Sequence, residues 1–476
     1  MTRSKEGFLW TPQTTTDGLE TEAVIQSSKI IRSTYDVIVI GGGFSGLIAA
    51  RNLSQDSTLH VLLIEARDRI GGRTWTAKAF GEEFEMGGTW VHWNQPHLYH
   101  ELHRYGLHCY LKTSAGTMAP EKYYFKPARA PAREISPEES VAALERVAEK
   151  FFAIDGLDSR ALMPFPHEPF REPAVWRRYD HLTVKQRLDQ IDGLSQFEKD
   201  IFESNMATFG SAPGSEIGFA EALRWFALGG HSMAGVFERA GIYKLGNGGM
   251  TAFARAILGD FEGDMLFNTV VEEVDQGRNS VSLQTKDGRR IDAKAVVSTI
   301  PLPLKTEAIA AGHINRGAKI HFNLAATEPG WFATCSTSGE SPYVFAFTDH
   351  NGHEPSGPKG TWCIGFGYNG HLVDKKNSKD IIEAFRANVR SGAEIKAYLT
   401  HDWMNDPYAK GTWSCWGSNK FSRNLQELQK ADGRVFFASA DWADGWRGFV
   451  DGAIESGQKS AIDVKIFLDS QHNAKL

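Results

Sequence analysis

The chain of 476 residues is long enough for a large core and two or three domains. Its 41% hydrophobic and 23% charged residues and its net charge of −6 describe an ordinary globular protein, and the absence of a basic block argues against nucleic acid as a partner. No run of about 18 apolar residues occurs, so no membrane span is expected.

The four cysteines, Cys109, Cys335, Cys363 and Cys415, lie far apart without a C-x-x-C pair. A zinc site or redox dithiol is therefore not expected, and free, mostly buried thiols in a reducing compartment are. Residues 1–33 mix Thr, Ser, Lys and Glu without clear period, which predicts an extension lying on the surface or partly disordered. They contain no apolar h-region, so no secretory signal is expected.

The stretch from Tyr35 to Glu65 carries the strongest signal. An apolar run, Val37 to Ile40, leads into Gly41, Gly43 and Gly46 in G-x-G-x-x-G spacing, then a helical segment and a second apolar run, Leu59 to Ile64. The first glycine permits the tight turn, the second admits a pyrophosphate to the backbone, and the third lets helix pack on strand. The helix start, with Ser45 in it, offers N–H groups to the phosphates. Glu65 ends the second strand, nineteen positions after Gly46, where a carboxylate reaches a ribose diol. A carboxylate there favours NAD or FAD over NADP.

The loop that follows, Arg67 to Thr74, sets Gly71 and Gly72 between Arg69 and Arg73 and suits passage close to a phosphate. Gly87 and Gly88, in the run Glu85 to Trp90, form a second turn on which a flat ring can lie. From about 95 to 240 the pattern is helical, with Val141 to Phe152 and Val184 to Ile191 amphipathic and prolines marking loops. A helix is predicted over Thr251 to Leu258, then strands Val270 to Val274, Val281 to Thr285 and Ala295 to Ile300. A mixed sheet is predicted between Lys319 and Trp362, a helix over Asp380 to Arg390, and a strand over Val435 to Ala438. The turn Asp441 to Gly452 leads into a last helix, Ala453 to Phe467, whose start suits a second contact with the cofactor.

Taken together, the first glycine motif, the Arg69-to-Thr76 loop, the Gly87-Gly88 turn and the Gly445-to-Gly457 tail resemble, in order, the flavin-containing amine oxidase family, and within it the soluble fungal monoamine oxidases. The resemblance covers residues from about 35 to 465. It implies an α/β fold: a Rossmann-like FAD-binding domain from discontinuous segments, 34–94, 243–304 and 406–468, with an interleaved α+β substrate-binding domain, 95–242 and 305–405.

The cofactor implied is FAD. Gly41, Gly43, Ser45 and Gly46 would meet the pyrophosphate and Glu65 the adenosine ribose, with Ala66, Arg67 and Gly72 beside them. Arg73 would lie near phosphate, Gly88, Thr89 and Trp90 near the isoalloxazine, Val270 at the adenine, Asp441 at the ribityl–phosphate region and Val450 at a flavin carbonyl. Lys319 matches the family lysine that holds a water at the flavin, and Trp413 and Phe449 match two facing aromatics before it. Lys319 also reads as a strand lysine facing solvent, and the two aromatics as core packing. Thr412 stands where the membrane-bound animal enzymes carry the cysteine that bonds the flavin, so non-covalent FAD is expected.

The reaction implied is oxidation of a primary, possibly secondary, amine to an imine and aldehyde, with oxygen reduced to hydrogen peroxide. A polyamine or amino-acid oxidase on the same fold, an isoprenoid desaturase, or a non-catalytic FAD-binding module stand as alternatives. A homo-oligomer is expected. The terminal Ala474-Lys475-Leu476 resembles the peroxisomal S-K-L address, so an import receptor is an expected partner.

Overall fold

A computed structural model describes residues 2–55, 58–113, 120–301, 315–339, 341–352 and 357–473. The tripeptide at 474–476 and the expected domain boundary at 304/305 lie outside the described residues. The fold is a mixed α/β architecture built on two large sheets.

The first sheet has seven strands. Its centre is Thr34–Ile40, with Val61–Ile64 and Arg290–Ser298 parallel on either side. Asp264–Leu266 extends it in parallel beyond Val61–Ile64, and Val435–Phe437 pairs in parallel with the end of Arg290–Ser298. The segments Val271–Gln276 and Val281–Thr285 complete it as an antiparallel pair. The central strands read as unbroken apolar runs because both faces are covered. Val37 and Val39 pack under the helices Phe44–Ser54, Gly249–Gly259 and Val450–Asn473, and Ile38 and Ile40 pack toward the hairpin side.

The second sheet has nine strands. Its order runs Thr15–Asp17, Phe8–Trp10, Ile395–Thr400, Ala318–Leu324, Thr361–Gly367, Tyr343–Asn351, Trp331–Cys335, Lys122–Lys126, Arg133–Ile135. All neighbours are antiparallel except Trp331–Cys335 against Lys122–Lys126, so the sheet is mixed. The strand Ala318–Leu324 alternates as a pleated strand must. Ile320, Phe322 and Leu324 enter a core closed by the helix Ser378–Asn388, while Lys319 and His321 face the other way, toward Glu85.

A helical block fills residues 137–241. Ser136, Thr183, Ser195 and Ser232 each accept a hydrogen bond from the first turn of the helix they precede, the last three in the chain order Thr183, Ser195 and Ser232 opening Val184–Asp189, Gln196–Ala207 and Met233–Gly241. Their apolar faces meet in a core around Phe151, Phe202, Phe219 and Trp225.

The N-terminal segment corrects the expectation of a surface extension. Phe8–Trp10 pairs with Ile395–Thr400, and Leu19, Thr21 and Ala23 are buried. Its two strands have three residues each, too short to show a period; they pair with one another, and Phe8–Trp10 pairs further with a strand almost 400 positions away. The last helix starts at Val450, earlier than predicted, and runs to Asn473. Cys335, Cys363 and Cys415 are buried and Cys109 is exposed, all four as free thiols. No helix of the described residues is long and apolar enough to cross a membrane.

A prediction separates the two views of the N-terminus. Leu19 is 3% exposed and belongs to the core under the first sheet, whereas Ile30 is 81% exposed. Leu19→Ala should cost about 2–5 kcal/mol, read as a lowered unfolding midpoint, and Ile30→Ala should leave the midpoint unchanged. Equal midpoints for both variants would mean that the segment is a loose extension.

Candidate active site

One cavity of about 820 Å³ runs between the two sheets and the helical block. Its walls contain Gly41, Gly43, Ser45, Glu65, Ala66, Arg67, Gly72, Arg73, Gly88, Thr89, Trp90, Val270, Lys319, Trp413, Phe449 and Val450. Sixteen of the residues singled out from the sequence therefore share one space. Gly46 and Asp441 do not face it.

Gly46 acts one layer behind. A Cβ there would stand 1.9 Å from the Gly41 carbonyl oxygen, so only glycine lets the first helix start this close to the strand. No side chain caps that helix, so the N–H groups of its first turn remain available at the cavity wall. Gly43 and Gly72 face one another across the turn; a Cβ on Gly72 would come within 3.1 Å of the Gly43 Cα. The passage is therefore bare backbone on both sides. Glu65 is oriented by two backbone donors, Gly42 N–H at 2.5 Å and Arg67 N–H at 2.8 Å, one on each carboxylate oxygen. Each oxygen keeps lone pairs for a diol. Bare glycines and open helix N–H groups as donors, with a fixed carboxylate as acceptor for a diol, are the groups a dinucleotide requires, and the cavity is large enough to take one.

Arg73 lines the cavity while Asp441, fully buried, holds it at 2.9 Å; the Thr412 carbonyl accepts from the same nitrogen at 2.6 Å. Asp441 thus positions a cation that faces the cavity. Arg67 is held more tightly. Asp406 takes it bidentately at 2.7 and 2.8 Å, and Glu6, from the N-terminal segment, bonds both Arg67 and Arg69. Burial would raise the Glu6 carboxyl, but the guanidiniums of Arg69 and Arg67 outweigh it and hold it below its ordinary value. Burial likewise pushes Asp406 up, and hydrogen bonds from His401 and Arg67 overcome it, leaving the carboxyl well below the usual range. Val270 lies just before the strand Val271–Gln276, and its carbonyl accepts the Lys286 N–H at 2.9 Å.

Lys319 is 5% exposed. Its ammonium donates to the Glu85 carbonyl at 2.7 Å, the Gly87 carbonyl at 3.0 Å and the Thr89 hydroxyl, and lies 4.9 Å from the Trp90 ring centroid. All three N–H donors are thereby engaged, so Lys319 can bond a water only by releasing one of these acceptors. The solvent-facing reading of Lys319 is corrected: the side chain points inward because its strand turns that face to the Gly87-Gly88 turn. Burial drives the ammonium below its ordinary value against the attraction of Glu85, and burial raises the Glu85 carboxyl in turn.

Trp413 donates its indole N–H to the Phe209 carbonyl at 2.7 Å. Phe449 stands at the turn into the last helix, 4.9 Å from Trp225 and 5.0 Å from Trp446 between ring centroids. Sequence reasoning missed most of the aromatic wall: Tyr123, Phe209, Trp225, Phe332, Phe345, Phe347 and Phe366 also line the cavity. The alternation of Phe345 and Phe347 on one strand was the available signal. Among the described residues, the lysine and arginines that line the cavity are Lys319, Arg67 and Arg73, and all three are at its cofactor side with acceptors of their own.

Residues 44–465 match the family described as flavin containing amine oxidoreductase. Pseudooxynicotine dehydrogenase of Pseudomonas sp is 33% identical over 457 residues, covering 92% of this chain and 88% of that protein. Nicotine dehydrogenase of Pseudomonas putida is 31% identical over 448 residues, covering 91% and 89%. A solved structure of a putrescine oxidase triple mutant shares the fold with a TM-score of 0.72 at 20% identity, covering 91% of this chain and 99% of that one. The chain belongs to the flavin-containing amine oxidoreductase family, and its cofactor is FAD. It is an amine-oxidising enzyme of that family.

Two predictions follow from the cradle. Gly46→Ala should yield a folded but colourless protein, because a methyl at 1.9 Å from the Gly41 oxygen displaces the helix start; a yellow variant with parental flavin content would contradict this geometry. The second concerns acid. Folded-state pKa values of Glu6 and Asp406 lie below the unfolded ones, so their stabilisation is complete at neutral pH and is lost as pH falls through the folded values. Flavin retention, followed by fluorescence of released FAD, should therefore persist through the ordinary carboxyl range and collapse below it. Asp406→Asn should lose flavin already at neutral pH.

Proposed function

We propose that this enzyme oxidises a primary or secondary amine bearing a flat apolar group to the imine, which water converts to the aldehyde, with oxygen as electron acceptor and hydrogen peroxide as product. The observation that carries the substrate class is the aromatic wall beside Lys319, Trp413 and Phe449. Relatives named for nicotine and pseudooxynicotine support a flat, ring-bearing amine. An amino-acid substrate is disfavoured because no arginine stands among the aromatics of the described wall to meet a carboxylate. A polyamine is disfavoured because the carboxylates near the wall, Glu145 and Glu238, sit where the lining reaches solvent.

FAD, when bound, accepts the hydride that leaves the carbon beside nitrogen. The protein's own contribution is to orient the amine and exclude water. Trp413 is fixed by its bond to the Phe209 carbonyl, and Phe449 by Trp225 and Trp446. Such rigid walls hold the amine in one orientation, and their π faces favour the cationic imine as it develops. Lys319 holds positive charge or hydrogen-bond donors where oxygen would take up electrons.

A second reading concerns the acceptor alone: both bacterial relatives are named dehydrogenases, which favours an acceptor other than oxygen. As to attachment, no cysteine lines the cavity, and Thr412 is engaged by Asn315, which supports non-covalent FAD.

Stopped-flow absorbance separates the half-reactions. An aryl-alkylamine should bleach the flavin anaerobically, and air should restore it with release of peroxide; bleaching without reoxidation by air would select the second reading. Trp413→Ala should slow bleaching by about 100-fold at full flavin content, and Lys319→Met should chiefly slow reoxidation. Acid precipitation should leave all yellow colour in the supernatant.

A further inference from the structure

The registers of the nine-stranded sheet place six cavity-lining side chains in two short rows, offset by two residues on the strand Tyr343–Asn351 that carries both Phe345 and Phe347. Lys319 pairs with Phe366, Phe366 with Phe345, Phe347 with Phe332, and Phe332 with Tyr123. Together the two rows cross five strands. At the strand spacing of about 4.8 Å, Phe332 lies about 14 Å and Tyr123 about 19 Å across the sheet from Lys319. Their rings form a continuous surface. Phe345 stacks on Phe366 at 4.2 Å with 9° between planes, Phe332 lies parallel to Phe347 at 6.2 Å with 14°, and Tyr123 meets Phe332 at 6.2 Å. Phe237, from the helix Met233–Gly241, closes on Phe332 at 6.4 Å from the other side. Phe332 is thus the point where floor and roof meet.

Of these six side chains only Lys319 and Tyr123 carry a polar atom, and no protein partner for the Tyr123 hydroxyl occurs among the described residues. Half-buried desolvation raises its phenol pKa, so at neutral pH it is a donor. The hydroxyl is not sealed from water, which the acceptor of a ligand can replace there.

We propose that Phe332 and Tyr123 form a distal subsite that holds the far end of the amine: an aryl group on Phe332, and a hydrogen-bond acceptor at its outer edge on the Tyr123 hydroxyl. The inference rests on the amine-oxidase reading above. It adds to it that the preferred amine is elongated, with its aromatic group separated from the reacting carbon by a short alkyl chain and ending in an acceptor. A small amine such as benzylamine reaches only Phe366 and Phe345 and leaves Phe332 and Tyr123 without a partner.

The test uses the holoenzyme and the series benzylamine, phenethylamine, phenylpropylamine and phenylbutylamine, with the pyridin-4-yl analogue of the last. Anaerobic flavin bleaching gives an apparent dissociation constant and a limiting rate for each. Along the series the constant should fall about fourfold per methylene, and Phe332→Ala, at full flavin content, should flatten the last two steps. Tyr123→Phe should weaken the pyridyl amine by about 3- to 10-fold and leave phenylbutylamine and every limiting rate unchanged. A flat series with benzylamine still bleaching the flavin overturns the subsite and leaves the function standing. Equal weakening of both long amines by Tyr123→Phe overturns the hydrogen bond. An enzyme that no amine bleaches overturns both readings.

Discussion

A buried ammonium must find acceptors for its three hydrogens, and the site is arranged around that requirement at Lys319. The three it finds, the carbonyls of Glu85 and Gly87 and the Thr89 hydroxyl, belong to the glycine turn beside the first sheet, while the lysine belongs to the second. Those bonds fix where the aromatic floor meets the cofactor cradle. His321, two residues along the same face, adds a contact at 2.9 Å to the Glu85 carbonyl. Trp403 donates to the Met86 carbonyl at 2.8 Å from a third direction. The turn is therefore held from several elements, as a surface on which a flat ring must lie requires.

The cradle is assembled by backbone approach. Where Gly46 lets the first helix close on its strand, Gly457 lets the last helix close on the first: a Cβ at Gly457 would stand 2.4 Å from the Ser45 carbonyl. The two helix starts, from opposite ends of the chain, are thereby brought to the same cavity. The charged part of the cradle follows another logic. Arg67 and Arg69 are buried, and buried guanidiniums need carboxylates. Asp406 comes from the distant C-terminal third and Glu6 from the N-terminal segment. The segment expected to be a surface extension supplies one of the anions that keep the phosphate-side loop in place.

What was legible in the sequence was local. The glycine spacings, Glu65 after the second strand, and Arg73 between glycines are patterns within a few tens of residues, and their physical meaning does not depend on tertiary pairing. Lys319, Trp413 and Phe449 were found through resemblance, and all three line the cavity. The aromatic rows were not legible, because they exist only in the registers of five strands drawn from residues 122–126 and 318–367. Phe332 reads as an ordinary core residue until its cross-strand neighbours are known. The strand Phe8–Trp10 was illegible for the same reason: the neighbour that places it in the sheet is Ile395–Thr400.

The composition of the wall also constrains how the chemistry can run. Among the described lining residues no histidine occurs, and the carboxylates stand apart from Lys319: Glu65 and Glu272 on the nucleotide side, Glu145 and Glu238 toward solvent. Among the described lining residues, therefore, no histidine or carboxylate meets the amine at the aromatic pair. A nitrogen that arrives protonated has no lone pair to drive hydride loss from its neighbouring carbon, and no histidine or carboxylate of the described wall stands there to remove the proton. The amine must shed it on the way in. An apolar floor several rings long would encourage this, since burial disfavours a charged amine before it reaches the aromatic pair. The floor that would select a flat, elongated tail would thus also favour a neutral nitrogen, which gives the two halves of the site separate tasks: the glycine cradle to hold FAD, and the aromatic sheet face to orient the amine.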